Sequence, residues 1–282
     1  MVDAADLKSV FKMKYWFKSI AEHFYLKMLN FFSPLEQFTI FPMQAIILGP
    51  FDLSFTNQAG ILILLFVVLV TIFVSLSWKD GTFNMIPTRW QSFFELMYKA
   101  MLSLVVDNVR HNDAQKFFPL VFTIFFGILS MNLIGLVPYS FTATSHLIVT
   151  FAIALSIFIG INIVCVRQHG IKFFGLFLPP GTGVGFAFLL VPIEFISYMF
   201  KPISLSVRLF ANMMAGHTLL KVIAGFGFLL MLEFVGFMWL LEYFPLLVLI
   251  PLFGLELAVA VIQAFVFSIL ICIYLNDALN MH

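Results

Sequence analysis

Apolar positions along this chain run together more often than they alternate, and the lengths of the runs define the elements. Residues 60 to 77, GILILLFVVLVTIFVSLS, are uncharged and of about the length needed to cross a bilayer. Trp78 and Lys79 close the run with side chains suited to a membrane interface, so the pattern predicts one upright transmembrane helix over 58–79. From Pro87 to Arg110 the pattern changes. Phe93, Phe94, Met97, Met101, Leu104 and Val105 recur at helical spacing, with Arg89, Glu95, Lys99, Asp107 and Arg110 between them. This reads as an amphipathic membrane-surface helix over 87–111, with Thr88 as its N-cap. Two further apolar helices are expected at 117–138 and 146–166, a membrane pair within 117–166 joined by an uncharged link containing Pro138, Tyr139 and Ser140.

After the breaker cluster PPGTG at 179–183 come two apolar segments, 184–224 and 228–276. Forty residues of helix span about 60 Å, roughly twice the hydrocarbon thickness, so neither segment fits as an upright span. Residues 184–276 are therefore expected as a hairpin of two long tilted or bent helices, with Pro192, Pro202, Pro245 and Pro251 as bend points. Residues 1–40 form an amphipathic N-terminal extension in which Lys8, Lys12, Lys14, Lys18 and Lys27 lie among aromatics. Asp3, Asp6 and Glu22 set it apart from acid-poor transit peptides, and it reads as an interfacial helix docking to neighbouring subunits or lipid headgroups.

Composition agrees with this pattern. Of 282 residues, 62% are hydrophobic and 10% charged, which places the chain among all-α polytopic membrane proteins. A net charge of +1 offers no basic surface for nucleic acid. Cys165 and Cys272 both sit in apolar runs and suggest neither a metal site nor a disulfide framework. The 38 Phe residues are an excess of the kind AT-rich coding produces in organelle genomes. Lys and Arg collect in the loops at 79–116 and 167–182 and are missing from the link between them, which puts both loops on the matrix or cytoplasmic side.

Against this apolar background the stretch Glu194 to Lys221 stands out, with Lys201, Arg208, Asn212 and His217 between its ends. A guanidinium keeps its proton, so Arg208 in a bilayer must meet an anion, face water or bear several kcal/mol of desolvation. At about 100° per residue, Asn212 lies within about 40° of Arg208, and Glu194 returns to nearly the same face, whereas His217 falls on the opposite side. On the last helix Glu242, Glu256, Gln263 and Asp277 share a heptad register, with Leu249 and Leu270 in the gaps. Such a stripe marks either a hydrated path or contacts to polar groups on a facing helix. The plainer alternatives are an arginine that snorkels or is paired structurally, and scattered interhelical hydrogen bonds.

The phrases SLSVRLFANMMAGH (204–217), MNLIGLVPYSFT (131–142), SPLEQF (33–38), LELAVAVIQAFVFSIL (255–270) and YLNDA (274–278) together resemble subunit a of F-type ATP synthases. The resemblance implies a membrane stator that passes protons through two offset half-channels to and from carboxylates of a rotating c-ring, with no cofactor and no metal. Arg208 matches the stator arginine, and Asn212 and Gln263 match polar residues that place or hydrate it. Glu194, His217 and Glu256 match acid and base positions of the half-channel open to the intermembrane or periplasmic side, and Asp277 a position near the helix end. Gly135 departs from relatives that carry an acid after the MNL phrase, which leaves Asn132 as a minor candidate. The partners implied are the c-ring, peripheral-stalk subunit b, small Fo subunits and lipids, in a complex that dimerises in some forms. The location implied is the mitochondrial inner membrane or, alternatively, a bacterial inner membrane. The chain lacks a G-x-x-x-x-G-K-[ST] loop, so ATP chemistry is expected on other subunits and this chain is not itself expected to be an enzyme. A secondary transporter with an Arg-based anionic substrate site is the alternative, without the internal repeat it calls for. A haem subunit would need paired ligating histidines, and His146, His169 and His217 lie mostly on different segments.

Overall fold

The computed structural model describes residues 36–45, 47–48, 51–52, 54–77, 89–109, 114–137, 140–170, 173, 175, 184–233 and 239–280. Most of the N-terminal extension, the Thr88 cap, Trp78, Lys79, the PPGTG cluster, Pro138 and Tyr139 lie outside the described residues. Among the described residues six long helices carry the fold: α1 (Asn57–Ser77), α2 (Arg89–Asn108), α3 (Ala114–Gly135), α4 (Leu147–His169), α5 (Val184–Glu233) and α6 (Trp239–Leu279). This is an all-α polytopic membrane protein, with four helical stretches long and apolar enough to cross a bilayer within α3, α4, α5 and α6. Ahead of α1 two short antiparallel pairs form, β1 (Pro42–Gln44) with β4 (Phe55–Thr56) and β2 (Ile47–Leu48) with β3 (Phe51–Asp52). Runs of two or three residues carry too little periodicity to be read from sequence, so no strand was expected there.

The chain divides into two compact units. One comprises Met1–Thr39 and Thr218–Leu252, the other Ile40–His217 and Phe253–His282. In the first, α5 continues through Gly225 and Gly227 to Glu233, past residue 224 where the first of the two apolar segments was expected to end. Glycine costs about 1 kcal/mol in a helix, but here it does a packing job. A Cβ on Gly227 would stand 3.3 Å from the Pro245 ring, so the missing side chain allows the two helices to approach closely.

The second unit holds the main core. α2 buries Met101, Leu104 and Val105 and leaves Arg89, Glu95 and Lys99 exposed, as its amphipathic pattern required. It packs on α3 through an aromatic ladder. Phe118, Phe122 and Phe126 are spaced one turn apart on α3, with ring centroids 5.3 and 4.6 Å apart, and Tyr98 of α2 meets Phe118 edge-on at 4.7 Å. Where α5 and α6 share this core, one row is bulky and the other small. Leu205, Leu209 and Met213 are buried on α5, and Ala260, Ala264, Ser268 and Cys272 are fully buried at four-residue spacing on α6. Small residues in a row let helix backbones come close where lipid provides no hydrophobic drive for association. Both cysteines are buried free thiols. The link between α3 and α4 is less loop-like than its sequence: it forms a 3-10 turn, Ala143–Ser145, whose three residues are all buried.

Candidate functional site

Glu256 continues the small-residue row of α6 by one turn, and only 4% of its surface is exposed. Its carboxylate occupies space that Gly216 on α5 vacates, since a Cβ there would come within 2.7 Å of Oε1. The next residue, His217, brings Nδ1 to 3.3 Å from the same oxygen, at side-chain exposures of 11% and 5% for His217 and Glu256. This is ion-pair distance without hydrogen-bond alignment, and both Glu256 oxygens are buried with no hydrogen-bond partner among the described residues. Buried polar groups left unpaired in this way call for a functional reason or for ordered water. Two side chains from the α3 end adjoin them. Thr142 Oγ1 lies 3.3 Å from His217 Nε2, and the fully buried Asn132 donates from Nδ2 to the Ala260 carbonyl at 3.2 Å, one turn after Glu256.

A second polar cluster forms where α5 runs alongside the last turns of α6. Lys201 Nζ is 3.4 Å from Asp277 Oδ2 and lies over two rings, 5.2 Å from the Tyr198 centroid and 4.9 Å from that of Tyr274. The Tyr198 hydroxyl donates to Asn162 Oδ1 on α4. The pairs 217 with 256 and 201 with 277 are what antiparallel helices give, with residue numbers rising on one as they fall on the other.

Arg208 lies between the two clusters along α5, one heptad on from Lys201 and on the side opposite His217. It is exposed, Asn212 and Gln263 are half-buried, and among the described residues none of the three has a hydrogen-bond or ion-pair partner. The opposite orientation of His217 follows the helical arithmetic. Glu194 is also exposed. It precedes His217 by about 35 Å along a straight helix and lies two turns from Lys201, so it stands nearer the Lys201–Asp277 end of α5 than the His217–Glu256 pair. Sequence reasoning missed Thr142 as a neighbour of His217 and Lys201 as the partner of Asp277. Thr142 is embedded in a quoted phrase, but nothing in its spacing points to a helix seventy-five residues away. Lys201 precedes Arg208 by one heptad, a signal that could have been used.

The sequence model of the ATP synthase A chain family matches residues 60–276, which include His217, Glu256, Lys201 and Arg208 and stop one residue short of Asp277. The chain belongs to the ATP synthase subunit a family. It is similar to ATP synthase subunit a of Pylaiella littoralis, 51% identical over 260 residues that cover 89% of this chain and 100% of the relative. ATP synthase subunit a-2 of Arabidopsis thaliana is 45% identical over 263 residues, covering 92% of this chain and 74% of the relative. ATP synthase subunit a of Paramagnetospirillum magneticum (strain ATCC 700264 / AMB-1) is 40% identical over 253 residues, covering 89% and 99%. Against that family background the three polar groupings of this subunit occupy different stations on one helix pair: a buried acid–base pair, an arginine with no ion-pair partner among the described residues, and a half-exposed lysine–aspartate pair.

Proposed function

We propose that the chain conducts protons through the Fo sector of an F-type ATP synthase by two offset half-channels that deliver protons to and from the carboxylates of a rotating c-ring. As a member of its family it is a membrane component of the ATP synthase complex, a multi-pass protein of the mitochondrial or bacterial inner membrane. The observation that carries the finer reading is the separation of charge on α5. His217 and Glu256 are buried together, whereas Arg208 is exposed on another face with no partner of its own among the described residues.

An unpaired arginine on the outside of a membrane helix calls for an anion from outside the chain. A c-ring carboxylate fits: it is neutral while it faces lipid, where its charge is costly, and ionises when it meets the fixed cation. Its proton then leaves by one half-channel, and after rotation the other reprotonates it. Asn212 and Gln263 are the polar neighbours that hydrate the meeting point. Glu194, His217 and Glu256 serve the half-channel open to the intermembrane or periplasmic side, and Asp277, with Lys201, is a polar station near the end of α6. Each proton moved across 100 mV releases about 2.3 kcal/mol, and the ATP chemistry that uses it takes place on other subunits. Subunit b and the small Fo subunits complete the stator around this chain.

The test is proton flux into vesicles holding the assembled complex, with Glu256→Gln as the variant. Proton-driven ATP synthesis is expected to slow while the complex still assembles. Unchanged synthesis in the variant removes Glu256 from the path.

A further inference from the structure

We propose that Thr142 is a positioning residue that holds His217 with its proton on Nε2, so that Nδ1 is the nitrogen through which His217 and Glu256 exchange a proton. This rests on the reading of His217 and Glu256 as a proton-handling pair and goes further by naming the group that sets the histidine's tautomer.

A threonine hydroxyl has one proton to give and lone pairs to receive with. Thr142 Oγ1 has two partners, the Gly135 carbonyl at 3.5 Å and His217 Nε2 at 3.3 Å. The carbonyl can only accept. Gly135 is the last residue of α3, so its oxygen is among those a helix end leaves without an intrahelical donor. The Thr142 proton goes to that oxygen, and the hydroxyl then faces Nε2 with a lone pair, which requires an N–H there. The Thr142 hydroxyl is not engaged in capping the 3-10 turn it precedes, although its main-chain carbonyl accepts from both the amide and the hydroxyl of Ser145. The contact is also sterically set. A Cβ on Gly135 would come 2.6 Å from Thr142 Cγ2 and 3.2 Å from Oγ1, so only glycine at the end of α3 lets the hydroxyl sit between the helix and the imidazole.

The consequence is an ordered step. With Nε2–H fixed, Nδ1 is the nitrogen left to accept a proton, 3.3 Å from Glu256 Oε1, and the transfer takes place when side-chain rotation aligns the two. The Oε1–H bond breaks and an Nδ1–H bond forms, giving imidazolium and carboxylate, and the reverse transfer restores the neutral pair. Both ring nitrogens are then donors, and Thr142 accepts from the imidazolium more strongly than from the neutral ring. Among the described residues Glu256 is the titratable group facing His217. His146, on the same link as Thr142, stacks on Phe141 at 5.0 Å, and Lys221 lies one turn further along α5.

The experiment measures proton-driven ATP synthesis against the pH of the proton-uptake side in the reconstituted complex. Thr142→Val keeps the shape and methyl group but loses the acceptor, and is expected to move the pH midpoint down by about 0.5 to 1 unit, a three- to tenfold change in protonation equilibrium. Thr142→Ser is expected to restore it. Gly135→Ala, which displaces the hydroxyl without removing it, is expected to shift it in the same direction. A merely structural threonine would lower the amount of assembled complex and leave the midpoint alone, and that result overturns the proposal. His217→Gln and Glu256→Gln run in parallel. If both match wild type, the pair itself is misread; if both are impaired while Thr142→Val keeps the wild-type midpoint, only the role of Thr142 falls. Should Thr142→Val fail to assemble, nitrogen-15 spectra of histidine-labelled wild-type complex decide, with His217 assigned by its loss in His217→Gln. Nε2–H in the neutral state supports the proposal, and Nδ1–H overturns it.

Discussion

At the scale of single residues, the decisive contrast is between the pairs His217–Glu256 and Lys201–Asp277 and Arg208, which has no hydrogen-bond or ion-pair partner among the described residues. Arg208→Lys keeps the charge but loses the planar guanidinium with its five donors, and a lysine in this setting can release its proton. It is expected to abolish ATP synthesis with little passive leak. Arg208→Ala is expected to lose synthesis as well and to leak more, because a protonated c-ring carboxylate can then pass between half-channels. Passive proton flux and ATP synthesis in the same vesicles separate the two variants, and normal pumping by assembled Arg208→Ala would remove the residue from the centre of the mechanism. A different kind of charge effect belongs to His146, just ahead of α4. Its Nε2 is buried with no hydrogen-bond partner among the described residues, its ring stacks on Phe141, and burial holds its pKa below the ordinary value of 6.5. The unfolded chain therefore binds a proton near pH 6.5 that the native chain does not, so stability is full above that pH and falls as pH drops toward the native value. Thermal unfolding in detergent is expected to show a midpoint that declines between about pH 7 and 5.5, and His146→Gln is expected to flatten that decline.

At the scale of elements, the α5–α6 contact is set by size and the polar clusters are placed by it. Ala260, Ala264, Ser268 and Cys272 present a narrow strip, and Glu256 lies on the same row at its end, facing the gap at Gly216. Ala264→Leu inserts three carbons where no surface is free and is expected to cost about 1–3 kcal/mol. The same substitution should widen the His217–Glu256 approach and so slow proton transport, while Ala264→Gly leaves transport nearly unchanged; unfolding midpoints and flux measured together check both. The Lys201–Asp277 pair is at side-chain exposures of 29% and 45%, so it contributes little to stability and more to where the last turns of α6 stand. The aromatic ladder of α2 and α3 shows the phenylalanine excess in use, with edge and tilted contacts joining a surface helix to a spanning one.

At the scale of the whole molecule, helix length is the main constraint. The apolar stretches Phe188–Phe228 and Tyr243–Leu279 run 41 and 37 residues, about twice what an upright crossing needs. Pro192 and Pro202 lie inside α5, and Pro245 and Pro251 inside α6, without ending either helix. In the assembled complex in lipid these helices are expected to lie at a steep tilt to the membrane normal with Arg208 and Gln263 toward the c-ring. A density map showing four upright spans over residues 184–276 would overturn this. Charged side chains along them then reach different depths, which is what two half-channels offset from each other require.

The sequence alone determined the class, the number of long helices, the amphipathic character of α2 and the opposite facing of Arg208 and His217, because these depend on composition, run length and a fixed angle per residue. It also determined the candidate residues, through phrases that resemble one family. What it left open depends on distance across the fold. The break after residue 224 was misread because a helical glycine costs little once another helix packs against it, and Pro245 does so at Gly227. Only the tertiary structure brings Thr142 to His217, Lys201 to Asp277 and Asn132 to the carbonyl of Ala260, because periodicity fixes which face of a helix a residue occupies and says nothing of which other element that face will meet.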